Sequence, residues 1–209
     1  MADSLLVPLG RLLAKVMGSR WTVRIARVVG SGLYIFYLAR ADSWQLSIAW
    51  ALAYVAIGLT VSFAFVPVSH SNRFPGLSHY LLQDFPQATY SGPRLHRWDY
   101  LVSQPRAFFF SIPAEDGLVC VPLLMIGVNP VNACLAGAVF GLKHLAGYTY
   151  LECIAKFVYY AAACLIVLPH GLLTMTAGHL IGDAMVFAVL KVAQNSANAR
   201  AAFGMPPKK

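Results

Sequence analysis

Long apolar runs alternate with short polar punctuation along the chain, on a scale too coarse for strands. The run 47–68, SIAWALAYVAIGLTVSFAFVPV, holds no charged residue and is long enough to cross a bilayer unaided. Upstream, only residues 28–39 separate Arg27 from Arg40, a short segment that snorkelling arginines extend to membrane thickness. Beyond Arg106 the apolar sequence is cut by helix breakers. The run 107–128 ends at Asn129-Pro130, an N-cap residue followed by proline at the first helical position. Helices are then expected from Pro130 to about Tyr148, from about Leu151 to Leu168, and from Gly171 to about Ala193, with a break at Pro169-His170. The pattern predicts an all-α fold: a polytopic transmembrane bundle of about six helices, some short or broken. Five parts result: a basic amphipathic segment 1–27, two transmembrane helices in 28–68, a polar interfacial loop 69–106, a transmembrane region 107–193 and a basic tail 194–209.

Composition supports the membrane assignment. The chain is 58% hydrophobic and 11% charged with mean hydropathy +0.63, whereas soluble domains carry about a quarter charged residues. The net charge of +8 is concentrated at the ends. Arg11, Lys15, Arg20, Arg24 and Arg27 precede the first apolar segment, and Lys191, Arg200, Lys208 and Lys209 follow the last. Both ends therefore satisfy the positive-inside pattern, which places them on the cytoplasmic side and requires an even number of crossings. Lipid headgroups account for these charges without a nucleic-acid partner. The opening residues read as an interfacial anchor helix or, being rich in arginine and poor in acids, as an organellar transit peptide. Cys120, Cys134, Cys153 and Cys164 lie in apolar stretches without CxxC spacing and read as packing thiols.

Against this background a few ionisable residues stand out. No Asp, Glu, Lys or Arg occurs from Phe157 to Gly182, yet His179 and Asp183 sit one helical turn apart in AGHLIGDAM. Glu115 and Asp116 are adjacent near the start of the third segment, and His144 follows Phe140 by one turn in the fourth. His170, directly after Pro169, reads as structural. Ionisable groups at membrane depth mark function by default. A carboxylate beside an imidazole can deprotonate water for attack on a carbonyl, and a second imidazole can stabilise the oxyanion. Glu115, His144, His179 and Asp183 would supply those parts without a metal or cofactor. The plainer alternative is polar glue between helices.

In order and spacing these residues resemble the CAAX-protease and bacteriocin-processing family of glutamic intramembrane endopeptidases, which includes the Ras-converting enzyme. The family shows Glu-Glu-x-x-x-Arg, then Phe-x-x-x-His, then His-x-x-x-Asn/Asp on successive membrane helices. Here Glu115-Asp116 stands for the first motif, Phe140-Gly-Leu-Lys-His144 for the second and His179-Leu-Ile-Gly-Asp183 for the third, all within 107–193. The first motif departs from the pattern at Asp116 and at Cys120, which occupies the Arg position. The resemblance implies a metal-free peptidase with Glu115 as general base, His144 as its partner and His179 as oxyanion donor, oriented by Asp183. It also implies a lipidated or membrane peptide as substrate, and makes Glu115→Gln the abolishing substitution and Asp116→Asn the milder one. Three other readings stay open at the level of sequence: a catalytically inactive relative acting as scaffold or assembly subunit, a bis-histidine haem protein using His144 and His179, and a proton path.

Overall fold

The computed structural model describes residues 20–40, 44–69, 109–144 and 150–195. Every regular element among them is helical: α1 Arg20–Arg40, α2 Ile48–Ser69, α3 Ile112–Ile126, α4 Pro130–Lys143, α5 Tyr150–Ile166 and α6 Leu172–Asn195, with a 3₁₀ turn at Leu168–His170. The interfacial loop expected over 69–106 lies almost wholly outside the described residues. So do the first nineteen residues of the basic segment and the C-terminal tail beyond 195.

Both predicted breaks occur, and local chemistry explains each. The Asn129 side chain accepts the Asn132 backbone N–H at 3.0 Å, with Pro130 opening α4 behind it. The Asn132 amide in turn donates to the Gly127 carbonyl at 2.9 Å, while Gly127 turns the chain at φ 96°. At the second break, Pro169 lies in the 3₁₀ turn and Gly171 reverses the chain at φ 110°. Two boundaries differ from expectation. Helix α1 runs from Arg20, well before Val28, so that Arg24 and Arg27 stand within the helix, about one turn apart, instead of flanking it. Helix α4 stops at Lys143, short of Tyr148, with His144 as its cap.

Glycine contacts give the relative directions of the helices. Gly30 of α1 lies against Ala114 and Leu118 of α3, while Gly117 lies against Gly30 and Tyr34, so α1 and α3 run parallel. Gly137 of α4 faces Phe157 and Ala161 of α5, and Gly141 faces Cys153 and Phe157, so these two run antiparallel. Asp116 meets Thr176 and His179, and Phe109 meets Phe187, which sets α6 antiparallel to α3. Gly171 touches Gln45 and Gly178 touches Ala51 and Tyr54, which sets α2 parallel to α6. The ion pair of Lys143 with Glu115 brings the end of α4 to the start of α3, so these two are antiparallel and direction alternates along the chain. The crossings are close because glycine lets backbones touch: a Cβ on Gly117 would run into the Gly30 carbonyl.

A polar clasp joins α2 to α6. The Thr174 hydroxyl accepts the Ser47 N–H at 2.9 Å and shares its own hydrogen between the carbonyls of His170 at 2.9 Å and Gln45 at 3.1 Å. The His170 ring stacks on Trp50 at 3.9 Å, so this residue serves the helix break.

Large apolar side chains cover much of the outside, among them Phe110 at 78% exposure, Val28 at 73% and Met125 at 69%. Asp116, Thr174, Thr176 and His179 are buried within. Among the described residues one helical segment, Thr22–Arg40, is long and apolar enough to cross a membrane by length and composition, and shorter apolar helices follow it.

Candidate functional site

Asp116 is the centre of the buried polar cluster. It lies in the first half of α3, one turn beyond Ile112 and beside Gly117, whose contact with α1 sets which side of α3 faces the bundle. Its Oδ1 accepts from the Tyr160 hydroxyl of α5 at 3.0 Å and pairs with Nδ1 of His179 at 3.0 Å. Its Oδ2 accepts from the Thr176 hydroxyl at 2.8 Å. Thr176 and His179 are three residues apart on α6 and share a face. Tyr34 of α1 lies near Thr176 and Asp116. Four helices thus meet around one carboxyl group.

This arrangement accounts for Cys120. Tyr160 has one hydroxyl hydrogen and commits it to Asp116, so at the 3.1 Å contact the Cys120 thiol is the donor to Tyr160. The chain Cys120–Tyr160–Asp116 is built from neutral donors. Where the resemblance expects Arg, the second acid is instead held by two hydroxyls and an imidazole.

Phe140 brings the remaining residues together. It stacks on Tyr160 at 3.9 Å, meets the His144 ring at 4.8 Å and the His179 ring at 6.0 Å, and carries the Lys143 ammonium 4.4 Å from its centroid. Lys143 also forms an ion pair with Glu115. The Nδ1 atom of His144 lies 2.6 Å from the Phe140 carbonyl, which only accepts, so that nitrogen carries a hydrogen. The Nε2 atom of His179 faces the Asp183 carboxylate at 3.9 Å.

The predicted residues Glu115, His144, His179 and Asp183 therefore lie around one aromatic ring and its neighbours, but each has its own partner. Glu115 takes Lys143, His144 takes a carbonyl of its own helix, and His179 lies between Asp116 and Asp183. Of the two adjacent acids, Asp116 bonds to His179, and Glu115 pairs with Lys143. Asp116, Tyr160 and Thr176 complete the cluster without having been singled out as site residues. The i, i+3 spacing of Thr176 and His179 is a usable signal, whereas a lone tyrosine in an apolar helix carries none. An apolar groove of about 350 Å³ lined by Ala53, Ala56, Ile57, Thr60, Val61 and Ile166 lies apart from this cluster.

Tyr160→Phe tests the network. It keeps the stack on Phe140 but leaves Asp116 and Cys120 each short of a partner inside the bundle. A loss of about 1–3 kcal/mol is expected, read as a lowered denaturation midpoint. An unchanged midpoint would show that Tyr160 does not hold Asp116. Searches against family models, curated proteins and solved structures give no match to this chain.

Proposed function

We propose that the chain is a polytopic membrane protein whose buried acid–imidazole cluster hydrolyses peptide bonds, in the manner of the glutamic intramembrane endopeptidases that its motifs resemble. The membrane assignment draws on the apolar exterior around buried polar groups, the glycine-lined crossings and the alternating helix directions. At 1.5 Å per residue α1, α2 and α6 extend about 31–36 Å, enough for a hydrocarbon core of about 30 Å. Six alternating crossings return both basic ends to one side, the cytoplasmic side by the positive-inside rule.

The observation that carries the hydrolase reading is the bond between buried Asp116 and Nδ1 of His179. It fixes the ring so that Nε2 points away from Asp116, toward Asp183. In the proposed reaction Nε2 takes a proton from water as the water oxygen bonds to the carbonyl carbon. Asp116 stabilises the resulting imidazolium. When the C–N bond breaks, His179 returns the proton to the leaving amine. This moves proton abstraction from Glu115 to His179. Glu115 and Lys143, 30% and 24% exposed, form the polar rim. The substrate class implied by the resemblance is a lipidated or membrane peptide.

A second reading, a non-catalytic scaffold, draws on the same contacts: both Asp116 oxygens are satisfied from within the chain, and Lys143 pairs with Glu115. The deciding experiment presents prenylated and unmodified fluorogenic peptides to the purified protein in nanodiscs with a chelator present, and identifies products by mass. Cleavage that disappears in His179→Gln is expected. Absence of products from every peptide, together with a His179→Gln variant that only loses stability, would favour the scaffold.

A further inference from the structure

Tyr54 lies on α2, outside all three motifs, and is fully buried. Its hydroxyl has no hydrogen-bond partner among the described residues. Tyr159 meets it edge-on at 5.0 Å, and the two hydroxyls are neighbours without an aligned bond. A buried donor left unpaired costs stability, and such a group stands ready to bond to a ligand.

The ring's placement points to a use. The positions where Cβ atoms would stand on Gly178 and Gly182 lie 2.8 Å from Tyr54 Cγ and 3.9 Å from its Cε1, respectively. The ring therefore runs along α6, with its base over Gly178 and its far edge at Gly182. Its hydroxyl lies on the Gly182 side of the ring. The ring also lies 5.6 Å from that of His179, whose Nε2 faces Asp183. The Tyr54 and His179 rings thus lie side by side, and Asp183, with 31% of its side chain exposed, forms the outer edge.

Hydrolysis at this point needs a donor for the oxyanion. An ionised Asp183 only accepts, and His179 is occupied with the proton of water. We propose that the Tyr54 hydroxyl donates its hydrogen bond to the carbonyl oxygen of the scissile peptide and holds the oxyanion as it forms. As the water oxygen bonds to carbon, the carbonyl π pair moves onto that oxygen and the water proton goes to His179. Collapse expels the amine, which takes the proton from His179. Tyr54 keeps its own proton throughout.

This assignment rests on the hydrolase reading, and Tyr54→Phe separates the two. The substitution removes one oxygen and leaves the ring in place. The expected result is a fall in kcat of about a hundredfold, with KM unchanged and a melting temperature equal to wild type or higher. A peptide phosphinate, whose tetrahedral anion imitates the intermediate, is expected to lose affinity in the variant while an uncleaved substrate peptide does not. Wild-type kcat in Tyr54→Phe overturns the Tyr54 role alone. So does a loss of activity that only follows a lowered melting temperature. A wild-type protein that cleaves no peptide overturns the hydrolase reading and this role with it.

Discussion

Asp116→Asn is expected to slow peptide hydrolysis by about a thousandfold, through loss of the carboxylate charge that stabilises the His179 imidazolium, while the protein stays folded. Asparagine can place its oxygen at the Oδ1 position, where it still accepts from Tyr160 and from Nδ1 of His179. Its amide then faces Thr176, whose hydroxyl can accept as well as donate, so the hydrogen bonds survive. The negative charge does not. An imidazolium forming at His179 inside the bundle would have lost its closest counter-charge, at the step where a low-dielectric site makes that charge most valuable. Glu115→Gln should cost far less, because Glu115 is paired with Lys143. Initial rates for the two variants, alongside their melting curves, test the order. Loss of activity in Glu115→Gln with Asp116→Asn near wild type would return the base to Glu115 and remove His179 from that role.

Gly117→Ala is expected to cost about 3 kcal/mol or more, at the upper end of the usual penalty for overpacking. The added methyl would meet the Gly30 carbonyl, which is backbone and cannot rotate aside. Relief requires α1 to move off α3, and Asp116 is the preceding residue. Activity should fall with stability. Gly32→Ala on α1 is the control. A Cβ there meets nothing within 4 Å, so only helix propensity acts, and a gain of at most about 1 kcal/mol is expected. Reversible unfolding in mixed detergent micelles measures both. Equal stability of the two variants would mean that the α1–α3 crossing is looser than Gly30 and Gly117 indicate.

Those two glycines also explain how much could be read in advance. The helix breaks at Asn129-Pro130 and Pro169-Gly171 were legible because capping, proline and a positive φ are local properties. The pairing of His179 with Asp183 was legible because i, i+4 spacing is fixed by the helix itself. Which of two adjacent acids faces inward is different. Glu115 and Asp116 point about 100° apart, and the rotation of α3 about its axis is set by tertiary contact at Gly117. No local pattern encodes it. Tyr160 and Tyr54 were hidden for a related reason: an aromatic residue in an apolar helix looks like packing until the helix opposite is known. The extent of α1 was missed because charge was read as a flank, although Arg24 and Arg27, about one turn apart, stand within the helix.

The clasp at Thr174 sets a common origin for two rulers. From it α2 and α6 leave side by side in the same direction. Tyr54 and His179 stand about 10 Å and 8 Å along them at 1.5 Å per residue. Adding or deleting one residue between origin and mark would shift that mark by about 1.5 Å and swing it through about 100°. Leu52, exposed between the two points on α2, can vary in kind. The count of residues cannot. These two intervals are therefore expected to admit no insertion or deletion, even where outward side chains in them are free to change.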